Sequence, residues 1–227
     1  MGVLSNLEPA SVFYYFEEIC SIPHTSHHEK ALSDYCVQFA KAHGLACRQD
    51  EMGNVLIKAP ATPGYEKEPG LILQGHLDMV GDKTADCPLD LEKDAIHPVV
   101  DGGYVCAEGT TLGGDDGIAV AMALAILDAD DIPHPPLEVV ITVDEETGML
   151  GAAAHEAGFR AVVNGRNTAR GEQPVVRIDE PRVAGVHARH VVVVVEGREV
   201  VRVRVWAIGE EQRRRQPFEA HALAAEH

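Results

Sequence analysis

Three short polar segments contain residue types that together could bind metal ions and move a proton. His76 and Asp78 stand in the first segment, Asp115 in the second, and Glu145 and Glu146 in the third. Imidazole and carboxylate groups are common ligands of zinc and similar cations. A carboxylate beside such a cation can also act as a general base. The set as a whole therefore indicates metal-dependent chemistry, although each segment has a simpler explanation when taken alone.

The first segment, with His76 and Asp78, follows an apolar strand predicted over Gly70–Gln74. In extended backbone, residues i and i+2 point to the same side, so the two side chains share a face. The carboxylate can hold the second ring nitrogen of the histidine and fix its tautomer for metal binding. Taken alone, the pair is more typical of a buried histidine bonded to a nearby aspartate.

The second segment places two glycines before Asp115 and Asp116, at the start of a helix predicted over residues 116–128. Acidic residues are favoured at a helix N-terminus even without a metal. The glycines would also let the backbone approach a metal pair closely. A bridging carboxylate gives one oxygen to each of two cations about 3.5–4 Å apart, which makes Asp115 a candidate bridge.

In the third segment, Asp144, Glu145 and Glu146 come directly after a buried strand predicted over Leu137–Val143. Three consecutive carboxylates repel one another unless cations or solvent stabilise them. A solvated acidic loop is the simpler explanation. Because adjacent side chains point in different directions, one glutamate can instead bind a metal while its neighbour transfers a proton.

Helices alternate with short apolar strands, which predicts an α/β fold with a mixed, mostly parallel sheet sandwiched by helices. Helices are predicted over Pro9–Cys20, from Ser26 to Gly44, over residues 116–128 and from about Gly148. Further strands are predicted over Leu45–Arg48, Asn54–Lys58, Ile96–Val100 and Tyr104–Ala107. The second helix should begin with a capping box of Ser26 and Glu29. Ligand sites in such sheets lie beyond the carboxyl ends of the strands, where the three polar segments fall.

The composition limits the classes of partner. A net charge of −17 argues against nucleic acid, because a phosphate backbone requires a basic surface. The chain has neither a signal peptide pattern nor about 18 consecutive apolar residues, so no membrane association is expected. Its five cysteines form no C-x-x-C pair and are typical of reduced thiols. We expect a soluble, cytoplasmic protein.

The charge pattern changes near residue 155. Residues 1–154 contain seven basic and 26 acidic residues, whereas residues 155–227 contain twelve arginines, no lysine and ten acidic residues. Neither helical periodicity nor clear hairpin punctuation organises this Arg/Val-rich tail. Three interpretations stay open: a second module, a disordered extension, or the out-of-frame translation of a GC-rich gene. The domain boundary is therefore predicted between residues 154 and 155.

Residues 1–154 resemble the N-terminal part of the aminoacyl-histidine dipeptidases, within the carnosinase-like and acylase superfamily of zinc hydrolases. The segments that carry the resemblance are Ile22–Ser26, Gly75–Val80, Gly109–Gly117 and Thr142–Met149. The resemblance implies two Zn²⁺ ions, with Co²⁺ or Mn²⁺ as alternatives, and dipeptide substrates that include those with C-terminal histidine.

The same resemblance implies a role for each candidate residue. His76 would bind one zinc, Asp115 would bridge both, and Glu146 would bind the second. Asp78 would orient the histidine, and Glu145 would be the general base.

Two features of the family have no match in this sequence. The family has a further aspartate ligand after the glutamate pair, but Asn164–Gly171 contains no aspartate, and Asp179 stands in a different context. Its last histidine ligand and its inserted lid and dimerisation domain also lack counterparts. The resemblance implies a homodimer, but the dimerisation domain that would form it is not recognised in this sequence. His187, His190 and His221 do not match the missing histidine. We expect a chain with three of five ligands.

Three functions are therefore compared. The first is a zinc dipeptidase of which this chain is an incomplete and poorly active version. The second is a non-catalytic remnant that binds a metal or a partner protein. The third is another peptidase or deacylase of the same superfamily.

Overall fold

The computed structural model describes residues 2–154, 190–192 and 202–204. The helices are α1 (Ala10–Cys20), α2 (Lys30–Ala42), α3 (Gly114–Asp128) and α4 (Leu150–Ala153). The strands are β1 (Ala46–Gln49), β2 (Val55–Ala59), β3 (Leu71–His76), β4 (Pro98–Asp101), β5 (Tyr104–Ala107), β6 (Leu137–Thr142), β7 (His190–Val192) and β8 (Arg202–Arg204). Within residues 2–154, these elements follow the predicted order.

A four-stranded sheet with the order β1-β2-β6-β3 forms the centre of the described fold. The predicted mixed sheet is confirmed, because β3 runs parallel to β6 while β1–β2 and β2–β6 are antiparallel. One of the three strand pairs in this sheet is parallel, whereas a mostly parallel sheet was expected. The reason is that β1 and β2 form a hairpin, and β6 joins that hairpin in the antiparallel direction. A separate hairpin, β4–β5, turns at the predicted Gly102 and Gly103, which both have positive φ.

The helices α2 and α3 pack against the sheet, α1 packs on α3, and the three helices form the main core with one sheet face. That face is lined by Val55, Ile57, Leu73, Val139 and Ile141. The alternate strand positions Leu56, Ile72 and Val140 form a small cluster on the opposite face. Each fully buried aliphatic side chain contributes roughly 1.5–3 kcal/mol to folding, so most of the described apolar stabilisation comes from the helix-covered face.

Close packing between α1 and α3 fixes the start of α3. A Cβ added at Gly117 would lie 3.3 Å from Phe16 and 3.6 Å from Ile19, so the absence of a side chain lets the two helices approach each other. Asp115 and Asp116 have non-helical backbone angles, and regular helix follows them. The helix predicted over residues 116–128 is confirmed.

The N-terminus of α2 differs from the prediction. The helix begins at Lys30, and neither Ser26 nor Glu29 caps it with its side chain. Ser26 Oγ instead donates to Asp78, and Glu29 accepts from the backbone N–H of Asp144. The predicted capping box is therefore wrong, because contacts with distant segments engage both side chains.

The Arg/Val-rich tail lies almost entirely outside the described residues, as do Asn164–Gly171, Asp179, His187 and His221. Within it, the described strands β7 and β8 pair in the antiparallel direction, with Val191 opposite Val203. This pairing was not predicted from the sequence. Among the described helices, none is long and apolar enough to cross a membrane.

Candidate metal centre

Three elements bring the predicted site residues together at one end of the sheet. His76 is the last residue of β3 and pairs with Thr142, the last residue of the parallel strand β6. The carboxyl ends of the two strands therefore meet, and the loop after β6 carries Glu145 and Glu146 towards the histidine. Asp115, at the start of α3, completes the group from a third segment.

The distances define a compact cluster. His76 Nε2 lies 3.3 Å from Asp115 Oδ1 and 3.8 Å from Glu145 Oε2. Ligand atoms of His76, Asp115 and Glu146 all lie within 4.8 Å of one another. The histidine is 5% exposed, whereas the two acidic ligands are partly open to solvent. The structure thus brings together the three residues that the sequence predicted as ligands.

This donor set fits a divalent cation. Donors at about 2.0–2.2 Å from a tetrahedral zinc are separated by roughly 3.2–3.6 Å, and the 3.3 Å between His76 Nε2 and Asp115 Oδ1 falls in that range. One imidazole nitrogen with two carboxylates also suits cobalt or manganese. The geometry favours a divalent cation without selecting which one.

The orientation of His76 depends on Asp78. The ring Nδ1 lies 2.9 Å from the backbone carbonyl oxygen of Asp78 and 3.4 Å from its carboxylate. With Nδ1 engaged there, Nε2 is directed at Asp115. Asp78 therefore lies beside the His76 ring as predicted, but its backbone carbonyl is closer to the ring than its carboxylate is.

The Asp78 carboxylate also fixes the loop that carries the glutamate pair. It accepts the backbone N–H groups of Glu145 at 2.8 Å and Glu146 at 3.0 Å, and the hydroxyl of Ser26 at 2.9 Å. Burial alone would raise the pKa of Asp78. The hydrogen bonds from His76, both N–H groups and Ser26 outweigh burial and lower this pKa to about 2.

The carboxylates around His76 shift pKa values at the site. Burial would lower the pKa of His76, but hydrogen bonds to Asp115 and Asp78, with the charge of Asp116, raise it to about 10. Burial raises the pKa of Asp116 to about 7, with Asp115 and Glu145 adding to the shift against the charge of His76. Such shifts are expected where a site is arranged to stabilise positive charge.

Sequence reasoning missed a second cluster, made of Glu29, Asp78 and Asp144, whose ligand-type oxygens also lie within 4.8 Å of one another. All three residues are buried, with at most 8% of the residue surface exposed. Asp144 accepts the backbone N–H of His27 at 2.9 Å and its side chain lies 2.8 Å from the His27 ring. The sequence places Asp78 and Asp144 in two different polar segments, and the spacing of Ser26 and Glu29 is that of a helix cap, so no local pattern groups the three acids.

The mixed sheet with its helices and the cluster of candidate ligands agree with a comparison with known protein families. Residues 72–216 match the model of peptidase family M20/M25/M40, which covers more than half of the chain. The chain belongs to this family.

Individual relatives are similar over the N-terminal region. The cytosol non-specific dipeptidase of Escherichia coli K12 is 49% identical over 152 residues, which cover 67% of this chain and 31% of that protein. The crystal structure of the aminoacylhistidine dipeptidase from Vibrio alginolyticus matches with 50% identity and a TM-score of 0.67, over 69% of this chain and 32% of that one. A tripeptidase from Staphylococcus aureus matches at 26% identity and a TM-score of 0.54, over 65% of this chain and 40% of that one. The chain therefore spans about a third of the length of its two dipeptidase relatives.

Proposed function

We propose that this chain carries the metal-binding and general-base residues of a dipeptide hydrolase that uses two divalent cations. The observation that carries the proposal is the approach of His76, Asp115 and Glu146 to within 4.8 Å from three separate segments. The names of the two relatives at about half identity support dipeptides as the substrate class, with aminoacyl-histidine dipeptides among them. The name of the E. coli relative also supports a cytosolic location.

His76 would bind one cation, Asp115 would bridge both, and Glu146 would bind the second. Cations at these positions would polarise the scissile carbonyl and make a water molecule more acidic. Zinc is the cation proposed, with cobalt and manganese as alternatives. Asp78 would keep Nε2 of His76 directed into the site by engaging its Nδ1 atom.

Glu145 would act as the general base. Its carboxylate lies 3.8 Å from His76 Nε2 and is partly exposed, so it borders the ligand cluster and can reach solvent. It would take a proton from the attacking water and later deliver a proton to the leaving amine. The neighbouring Glu146 is directed to the ligand cluster, so the two adjacent glutamates would have separate tasks.

Zinc stoichiometry of the purified chain, after loading and desalting, tests the metal site. We expect the wild type to retain zinc and Asp115→Ala to lose it, because the bridging carboxylate contributes to both positions. The matched control is Asp101→Ala, at an exposed aspartate of the β4–β5 turn. Equal zinc in Asp115→Ala and the wild type would contradict the proposed ligand.

Hydrolysis of a panel of dipeptides, tripeptides and acyl-amino acids tests the reaction. Glu145→Gln should reduce turnover of dipeptides by about 100-fold or more while zinc content stays unchanged, because it removes the base and keeps the ligands. Preferred cleavage of acyl-amino acids would indicate a deacylase of the same superfamily.

A non-catalytic metal-binding role is the second candidate, because the chain spans about a third of its dipeptidase relatives. Only three ligand groups assemble in this cluster among the described residues. Zinc retention without turnover of any substrate would favour this role over hydrolysis.

A further inference from the structure

Three consecutive backbone N–H groups of the loop after β6 bind buried carboxylates. The N–H of Asp144 donates to Glu29 Oε1 at 3.0 Å, that of Glu145 to Asp78 Oδ1 at 2.8 Å, and that of Glu146 to Asp78 Oδ2 at 3.0 Å. This loop carries both the proposed base and a proposed ligand. Its backbone is thus held by two acidic side chains from other segments.

The segment His24–Glu29 contacts both loops of the proposed site. On the side of β3, Met79 N–H donates to the carbonyl of His24, and Ser26 donates to Met79 through its N–H and to Asp78 through its hydroxyl. On the side of β6, Glu29 accepts from Asp144, whose own carboxylate accepts from His27. One short segment thus joins two loops that are distant in the sequence.

We propose that Ser26 and Glu29 are positioning residues that hold the Asp144–Glu146 loop in the conformation required for metal binding. Ser26 acts through the Asp78 carboxylate, and Glu29 acts through the backbone of Asp144. The inference rests on the proposed function of the site, but neither side chain is itself a proposed ligand or base.

Burial makes these contacts strong determinants of the loop. Glu29 is 4% exposed and Asp78 is fully buried, so few water molecules can replace them. The N–H of Asp144 forms a buried hydrogen bond and would lose its acceptor if Glu29 were shortened. Burial raises the pKa of Glu29, against the hydrogen bonds that its carboxylate accepts.

Zinc affinity, measured by competition with a chromophoric chelator, tests the role at the metal site. Glu29→Ala should weaken zinc binding by roughly 10- to 100-fold, which is typical when a group that supports a ligand is removed. Glu29→Gln keeps an acceptor oxygen, and its NH₂ group would face the carboxylates of Asp78 and Asp144. It should therefore bind zinc within about threefold of the wild type.

Ser26 and an exposed acid complete the set of variants. Ser26→Ala should weaken zinc binding by about three- to tenfold, and Ser26→Thr, which keeps the hydroxyl, should restore it. Glu51→Ala, at an exposed glutamate near the same segment, should leave the affinity unchanged. Rescue by Thr and Gln separates the loss of a hydrogen bond from general disturbance of the fold.

Amide hydrogen exchange of the zinc-free chain tests the loop contacts independently of metal. Exchange at Asp144–Glu146 should accelerate at least tenfold in Glu29→Ala, while exchange within β6 stays unchanged. Wild-type exchange rates at all three amides in Glu29→Ala would overturn the inference. If the wild type binds zinc, an unchanged zinc affinity in Glu29→Ala would also overturn the inference. A wild type without zinc binding would overturn the proposed function instead, and the exchange rates would still decide the role of Glu29.

Discussion

Two clusters of three polar side chains lie next to each other in this molecule, and the contacts of these side chains differ between the clusters. In the first, His76, Asp115 and Glu146 face one another, and the two acids are partly open to solvent. In the second, the three carboxylates are buried, and each accepts hydrogen bonds from protein N–H or O–H groups. The first arrangement offers candidate ligands to a cation, whereas the second fixes the backbone of the neighbouring loop.

The difference shows that a count of nearby carboxylates does not identify a metal site. Buried carboxylates are tolerated where backbone N–H groups compensate their charge. In the second cluster the N–H groups of residues 144–146 and His27 provide this compensation. Asp78 belongs to both arrangements, because it engages the histidine of the first cluster and the loop of the second.

The largest effect is expected for Asp78→Ala, which breaks both clusters at once. The change removes the acceptor for two backbone N–H groups and for Ser26, and it removes a partner of His76. Loss of one member of a buried charged pair costs about 3–5 kcal/mol of unfolding free energy. Urea denaturation would measure this loss, and zinc binding should disappear with it. Asp82→Ala, at an exposed aspartate, should change stability by less than about 0.5 kcal/mol.

A smaller effect is expected for Gly151→Ala, which disturbs the second cluster from outside. An added Cβ would clash with the carbonyl oxygen of Val143 and would lie 2.6 Å from Asn54 Oδ1. Asn54 accepts the N–H of Val143, next to the Asp144 loop. We expect a loss of about 1–3 kcal/mol from overpacking, measured by thermal unfolding.

Helix propensity alone predicts the opposite sign for this substitution, because alanine stabilises a helix relative to glycine. A stabilised Gly151→Ala variant would therefore show that Val143 and Asn54 can shift to accommodate the added Cβ. Ala152→Gly, at an exposed position of the same helix, provides the reverse change without the close contact.

The His43–Asp128 pair provides an exposed reference for both clusters, and the expected effect there is smallest. The Phe39 carbonyl raises the pKa of His43, and Asp128 adds to the increase against partial burial. His43 also lowers the pKa of Asp128, to which Tyr15 contributes. The pair therefore stabilises the fold between about pH 4 and 6.5. That contribution disappears as the pH rises through the elevated pKa of the histidine.

His43→Gln should lower the free energy of unfolding by a few tenths of a kcal/mol at pH 5.5 and by less at pH 8.5. Urea denaturation at the two pH values measures the difference, and the His43 stacking on Phe39 should contribute similarly at both. If His43→Gln instead lowered the free energy of unfolding by several kcal/mol at pH 5.5, this exposed pair would contribute as much as the buried clusters.

Much of the described fold could be predicted from local patterns. Alternating apolar strands and amphipathic helices gave the element order, and the apolar run before Asp144 predicted β6 within one residue. The grouping of His76, Asp115 and Glu146 could be predicted because each stands at a strand end or a helix start. Their roles as ligands are implied by the family resemblance and stay a prediction.

The second cluster could not be predicted, since its contacts are long-range. Ser26 and Glu29 have the spacing of a helix cap, but their partners lie 52 and 115 residues away. Asp144 was grouped with the two glutamates after it. Its backbone is left-handed, with φ of 52°, and its carboxylate contacts His27. Local spacing carries no information about these partners.

The position of β6 has a consequence for folding. It is the last of the four sheet strands along the chain, yet it lies between β2 and β3 and pairs with both. During synthesis, the hairpin of β1 and β2 cannot join β3 until β6 emerges, and the long loops between them make this step entropically costly and slow. The loop that follows β6 carries Glu145 and Glu146. Closure of the sheet and assembly of the ligand cluster should therefore occur as a single late step.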